Sequence, residues 1–125
     1  MKLSEYFENK KGLGVIATAD SDGRVDAAVY ARPHFIDEET IAFIMLERLT
    51  HKNLQSNPHA AYLFMEGGDK YIGKRLYLTK IREEKNSEFI DTLRRRKDYK
   101  EYKDTTRYLV YFRIDKVLPL VGDKE

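Results

Sequence analysis

The chain of 125 residues is long enough to bury one hydrophobic core, so we expect a single domain over residues 1–125. Lysine and arginine number 23 against 21 aspartate and glutamate, and this balance gives no electrostatic reason to expect nucleic acid or an anionic membrane. The lack of cysteine excludes disulfides and sulfur-rich metal sites and suits a reducing compartment. With no apolar run of membrane-spanning length and a polar N-terminus, we expect a cytoplasmic protein.

The N-terminal part of the chain predicts a short helix followed by a β-hairpin. Ser4 is placed to cap the helix. The small and β-branched residues of segment 13–19 favour a strand, and Asp20-Ser-Asp-Gly23 supplies turn residues with a glycine that tolerates positive φ. The second arm, from Arg24 to Arg32, alternates with the period of two expected of a half-buried strand, and one row of its side chains comprises Val25, Ala27, Val29 and Ala31.

The middle of the chain predicts three further strands and a helix. Segment 40–46 is a continuous apolar run, which is typical of a central strand covered on both faces. Thr50 is placed to cap a short helix that ends at Asn57, because the residue before a proline avoids the α region. Segments 60–65 and 75–81 have the composition of strands.

The C-terminal part predicts one more helix and a last strand. The helix opens near Ser87 and carries an apolar stripe of Phe89, Ile90 and Leu93, with Arg94 to Lys97 toward its C-terminal end. Alternation over segment 108–114 gives the sixth predicted strand. Short strands separated by turns favour an antiparallel barrel over a doubly wound sheet.

The segment directly after the apolar run has the residues of an anion site. A helix start exposes unpaired backbone N–H groups at the positive end of the helix dipole. Thr50 adds a hydroxyl, Lys52 a charge, and His51 and Asn53 further donors, so together they suit a phosphate monoester. Taken alone, the segment is also explained by an ordinary capped helix with solvated cations.

The order of five segments resembles the pyridoxamine 5′-phosphate oxidase-like FMN-binding split barrels. These segments are Gly14–Gly23, Val29–Arg32, Ile41–Leu46, Thr50–Pro58 and Ala61–Phe64. The resemblance implies a mainly β fold, a six-stranded antiparallel split β-barrel with short helices. It also implies a homodimer in which FMN lies at the interface of the two subunits.

The resemblance assigns cofactor contacts to residues of this chain. It implies that Thr50, His51 and Lys52, with Asn53 adjacent, hold the FMN phosphate. The residues implied to lie along the flavin are Val29, Tyr30, Ala31, Arg32, Ile44, Met45 and Leu46. Residue chemistry leaves open that Tyr30 covers core surface and that Arg32 pairs with a nearby carboxylate.

The resemblance implies an oxidoreductase or electron-transfer protein that uses flavin N5, with a small-molecule substrate or nicotinamide donor and no catalytic side chain. Two alternatives stay open, a barrel that binds another phosphate-bearing cofactor such as F420 and a non-catalytic binding or regulatory barrel. Pyridoxamine phosphate oxidase activity itself is not expected, because the chain has no tryptophan for that family's C-terminal substrate signature.

Two other kinds of site are not supported by the sequence. His34, His51 and His59 lack the spacing of a zinc site, so we predict no metal. Arg94 to Lys97, with Tyr99 and Tyr102 nearby, has the character of a nucleic-acid patch. However, the surrounding segment 82–107 holds nine basic and seven acidic residues, which favours a solvated helix face.

Overall fold

The computed structural model describes residues 2–93 and 105–123. Three short helices in this part of the chain are α1 (Leu3–Asn9), α2 (Leu49–Ser56) and α3 (Phe89–Leu93). The strands are β1 (Gly12–Ala19), β2 (Val25–Val29), β3 (His34–Phe35), β4 (Thr40–Leu46), β5 (His59–Glu66), β6 (Gly73–Lys85) and β7 (Arg107–Pro119). The basic run Arg94 to Lys97 lies outside the described residues, as do Tyr99 and Tyr102.

All strand pairs are antiparallel and form one sheet in the order β2-β1-β5-β6-β7-β4-β3. The sheet is open, because β2 and β3 stand at its two ends. The predicted number of six strands is wrong by one. The additional strand β3 has two residues, which pair with Ile41 and Ala42, and so short a strand carries no period that a sequence pattern would reveal.

One face of the sheet carries an aromatic core, the main core of the protein. Phe7 of α1 packs edge to face on Phe64 with ring centroids 5.1 Å apart, and Phe43 lies 5.0 Å from Tyr62. A second, smaller cluster lies on the opposite face, where Ile90 of α3 covers β4 and β7. The prediction that β4 is covered on both faces is therefore confirmed, although β4 lies next to the edge strand rather than at the centre.

The predicted hairpin of β1 and β2 is confirmed, together with its turn. Asp20 Oδ1 accepts hydrogen bonds from the backbone N–H of Asp22 at 2.9 Å and of Arg24 at 3.0 Å. Gly23 has a φ of +84°, which glycine adopts without strain. This turn therefore fixes the register that pairs Val15 with Val29.

Of the two sequence predictions for the ends of α2, one is confirmed and one is wrong. Asn57 adopts an extended conformation, with φ −145° and ψ 115°, so the predicted stop before Pro58 is confirmed. The prediction that Thr50 caps the helix is wrong, because Arg48 occupies the N-cap position and no side chain bonds to the first turn. Thr50 is instead the second residue of the helix and is buried.

Candidate functional site

Two residues separate helix α2 from β4, and the helix packs against β1, β2 and β4. The connection is tight, since the backbone N–H of Arg48 donates to the carbonyl of Leu46 at 2.8 Å. The first bond of the helix runs from Lys52 N–H to the Arg48 carbonyl at 2.9 Å. The helical geometry therefore leaves the N–H groups of Leu49, Thr50 and His51 without an acceptor inside the helix.

Two exposed cations flank this open helix end, and the exposed Glu47 precedes them in the chain. Arg48 and Lys52 are exposed, and the first turn contains no acidic residue. Among residues 2–93 and 105–123, no side chain forms an ion pair with either of them. The helix dipole and these two cations therefore favour an anion at the same place.

Tyr30 and Thr50, both predicted site residues, are brought together beside this helix end. Thr50 is 3% exposed, and the ring of Tyr30 packs edge to face on Phe43 with centroids 6.0 Å apart. Burial raises the pKa of Tyr30, while a hydrogen bond from Thr50 and the positive charge of Arg48 act in the opposite direction. The Tyr30 hydroxyl is thus a neutral polar group at the edge of the positive helix end.

His51 is turned inward, away from the open helix end. Its imidazole is stacked on Tyr108, with centroids 3.8 Å apart and planes 18° apart, and its Nε2 lies 3.0 Å from a Glu83 carboxylate oxygen. Burial alone would raise the pKa of Glu83, but hydrogen bonds from Lys80, Gln55 and His51 outweigh it and lower the pKa to about 2. Glu83 is therefore a fixed anion beneath the helix.

Asn53 is also turned inward. It is 4% exposed, and its Nδ2 donates to Thr18 Oγ1 on β1 at 3.1 Å. At the other end of α2, Ser56 Oγ accepts a hydrogen bond from the backbone N–H of Ser21 at 3.1 Å. The hairpin of β1 and β2 is thereby tied to α2 along the length of the helix.

The predicted flavin-lining segment 29–32 begins at the last residue of the edge strand β2. Arg32 donates to the carbonyls of Phe7 at 2.7 Å and Lys10 at 2.9 Å, which satisfies the C-terminal end of α1. The Ala31 carbonyl accepts a hydrogen bond from Tyr62 at 3.0 Å. The guanidinium of Arg32 thus bonds to backbone carbonyls at the C-terminal end of α1.

Close approach of β1 makes the Tyr62 contact possible. A Cβ on Gly14 would lie 1.9 Å from the Tyr62 hydroxyl and 2.5 Å from the carbonyl oxygen of Tyr30. Only glycine avoids this clash, so Gly14 fixes the path of the backbone that leaves β2.

The predicted run of β4 splits between the two faces of the sheet. Met45 is fully buried in the main core, whereas Ile44 and Leu46 point to the other face and are half-buried. Ile44 packs on the cluster beneath α3. Of these three residues, Ile44 and Leu46 retain accessible surface.

Sequence reasoning missed the residues of the sheet that support α2. Glu83, Lys80 and Tyr108 belong to β6 and β7, and no local pattern links them to the helix. Arg48 had a local signal that the site prediction did not use, because it is a basic residue directly before a helix start.

Comparisons with solved structures identify the fold. An FMN-binding protein from Syntrophomonas wolfei subsp. wolfei aligns with a TM-score of 0.80 at 19% identity, over 98% of this chain and 86% of that one. An F420 reductase aligns with a TM-score of 0.71 at 16% identity, over 94% and 97%. A Clostridium acetobutylicum protein related to general stress protein 26, of the pyridoxinephosphate oxidase family, aligns with a TM-score of 0.67 at 13% identity, over 97% and 87%.

The chain has the split-barrel fold. No protein-family model matches the sequence, and no curated protein matches it. Among the described residues, no helix is both long enough and apolar enough to cross a membrane.

Proposed function

We propose that the protein binds FMN, with the phosphate at the open end of α2. The observation that carries this proposal is the uncapped first turn of α2, flanked by the exposed cations Arg48 and Lys52. Helix geometry leaves three of its backbone N–H groups without an acceptor inside the helix. The similarity of the fold to that of an FMN-binding protein supports a flavin as the ligand over other phosphate esters.

The donor set fits a phosphate monoester. Lys52 supplies a point charge, Arg48 a planar guanidinium, and the first turn of α2 its N–H groups, which together match a dianion with several acceptor oxygens. Because the side chains of His51 and Asn53 are engaged inside the barrel, these residues contribute through their place in the helix. Thr50 contributes its backbone N–H and orients Tyr30.

The isoalloxazine would lie along the segment that leaves β2. Backbone groups of residues 29–32 suit the pyrimidine edge of the ring, and the half-buried side chains Ile44 and Leu46 offer apolar surface. Arg32 holds this segment against α1 and so keeps its polar groups in place.

A second copy of the chain would complete the site. The outer face of β2, β1 and β5 is apolar, and one cross-strand row consists of Val29, Val15 and Leu63. Val29 is 71% exposed and Val25 83%, and a contiguous apolar face of this kind is typical of protein interfaces. The face continues directly into residues 30–32, so a homodimer through it would cover the flavin.

The proposed activity is reduction of a small molecule, or electron transfer, with a nicotinamide as a suitable donor. Bound FMN would supply hydride or electron transfer at its N5 atom. The residues of this chain would bind the phosphate, orient the ring and limit the access of water. No side chain is assigned as an acid or base.

The alternative cofactor is F420, favoured by the structural likeness to an F420 reductase. Fluorescence titration of FMN and, separately, of F420 into the cofactor-free protein distinguishes the two. Saturable quenching of FMN is the expected result. Binding of F420 alone would assign the alternative, and unchanged fluorescence with both would contradict the proposed function.

A further inference from the structure

The carboxylate of Glu83 receives three donors beneath helix α2. His51 Nε2 lies 3.0 Å from its Oε2, Gln55 Nε2 donates to its Oε1 at 3.0 Å, and Lys80 Nζ donates to Oε1 at 2.6 Å. Gln55 also donates to the backbone carbonyl of His51 at 3.1 Å. Gln55 Nε2 also lies 3.0 Å from His51 Nε2. Because the ionised carboxylate of Glu83 can only accept, we assign the Nε2 hydrogen of His51 to Glu83.

A bulge in β6 creates this arrangement. Lys80 pairs with Phe112 and Glu83 with Val110, and both partners lie in the main core, so both residues face the inside of the barrel. Residues three apart in a regular strand point to opposite faces. Ile81 is the extra residue of the bulge. It shifts the alternation of side chains by one position, so Lys80 and Glu83 lie on the same face of the sheet.

The imidazole of His51 is held by two contacts and is almost fully buried. Tyr108 covers one face of the ring, Glu83 accepts its Nε2 hydrogen, and the side chain is 8% exposed. A ring placed in this way cannot reach a ligand at the open helix end. Because successive residues of a helix point about 100° apart, a fixed His51 also fixes the directions of Thr50 and Lys52.

We propose that Glu83 and His51 are positioning residues for the phosphate site, which set the rotation of α2 so that Lys52 faces the anion. This role rests on the proposed function. His51 and Gln55 are one turn apart and share a single carboxylate, so Glu83 holds two turns of the helix at once. Neither side chain touches the phosphate.

The first test compares ligands with and without a phosphate. FMN and riboflavin share the ring, so the ratio of their affinities reports on the phosphate site alone. We expect His51→Leu to weaken FMN binding about tenfold and to leave riboflavin binding unchanged. The helix loses its charge-assisted hydrogen bond to Glu83, so Lys52 no longer faces the phosphate. His51→Gln, which keeps a donor, should recover most of the loss. An equal effect on both ligands, or none on FMN, would overturn the role.

The matched control is the next residue along β6. Glu84 pairs with Leu109, whose side chain lies in the cluster on the opposite face, and bonds to Arg82 and Tyr111. Glu83→Gln should lower the ratio of FMN to riboflavin affinity, whereas Glu84→Gln should leave the ratio unchanged. Equal effects of the two substitutions would show that the loss comes from general weakening of the sheet.

A second measurement does not need the flavin. Amide hydrogen exchange of residues 52–56 should be faster in Glu83→Gln than in Glu84→Gln, while the amides of β1 and β5 exchange at equal rates. Equal exchange within α2 would overturn the positioning role even if FMN binds. If the wild-type protein binds no FMN, the proposed function fails, and this exchange result alone decides whether Glu83 fixes the helix.

Discussion

The ring of His51 on α2 lies face to face with that of Tyr108 on β7, with 3.8 Å between the centroids. This stack joins the helix that follows β4 to the strand that pairs with β4, so the predicted phosphate helix is fixed from below. Its opposite side, with Lys52 and Arg48, remains open. The helix thus has one face that stabilises the fold and one that is free for a ligand.

Replacing Lys52 tests the phosphate contact. Lys52→Ala should weaken FMN binding by about 1.5 to 3 kcal/mol, because a charge-assisted contact is lost, with no effect on riboflavin. The measurement is a fluorescence titration of both ligands. Lys116→Ala removes an exposed lysine on β7 and should change neither affinity. Equal losses of FMN affinity in the two variants would show that the effect comes from net charge and not from a contact between Lys52 and the phosphate.

The buried pair of Asn53 and Thr18 makes a prediction for stability. Thr18→Val leaves the Asn53 amide buried without its acceptor and should cost about 1 to 3 kcal/mol of the free energy of unfolding. The double variant Thr18→Val/Asn53→Leu removes both polar partners and should recover part of this loss. Urea unfolding measures both values, and strictly additive costs would show that the two side chains are not coupled.

Gly14 should not tolerate a side chain. Gly14→Ala places a methyl group against the Tyr62 hydroxyl and the Tyr30 carbonyl, so we expect a loss of about 2 kcal/mol or more. Gly67→Ala is the control, since a Cβ there meets no atom within 4 Å. Thermal unfolding compares the variants, and similar midpoints would contradict the close approach.

The lowered pKa of Glu83 predicts how the free energy of unfolding depends on pH. Its pKa falls from 4.5 to about 2 in the folded protein, so its contribution is complete above pH 4.5 and is lost as the pH falls toward about 2. The difference in unfolding free energy between wild type and Glu83→Gln should therefore be constant near neutrality and shrink below about pH 4. A difference that stays constant into that acid range would contradict the assigned hydrogen bonds.

The apolar outer face predicts the assembly state. The wild-type protein should elute at twice the chain mass of 14.7 kDa, and Val29→Asp should shift it to the single-chain mass, because a carboxylate would be buried at the interface. Val121→Asp changes another exposed valine, outside the strands, and should leave the dimer intact. Light scattering after size exclusion measures both, and a monomeric wild type would refute the dimer.

The elements that could be predicted are those with local causes. The turn at residues 20–23, the apolar run of β4 and the stop at Asn57 each follow from neighbouring residues, and the structure has all three. The two-residue strand β3 has no period, and its pairing depends on β4. Thr50 is of a residue type that is common at the N-cap of helices. Its burial beside Tyr30, however, depends on tertiary packing, which the local sequence does not reveal.

The orientation of the site residues depends on distant partners. The acceptor of His51 lies 32 residues away and that of Asn53 35 residues away, so the segment itself gives no sign that these side chains turn inward. The capping of α1 by Arg32 likewise joins residues more than 20 positions apart. Local chemistry thus predicted an anion site at the helix start. Which side chains face that site and which pack inside the protein could be seen only from the fold.

FMN binding is tested by the absorbance spectrum of the protein as purified, followed by mass identification of the compound released on denaturation. We expect flavin absorbance bands and a released compound with the mass of FMN. A colourless protein that releases nothing and does not take up added FMN would contradict the proposed function.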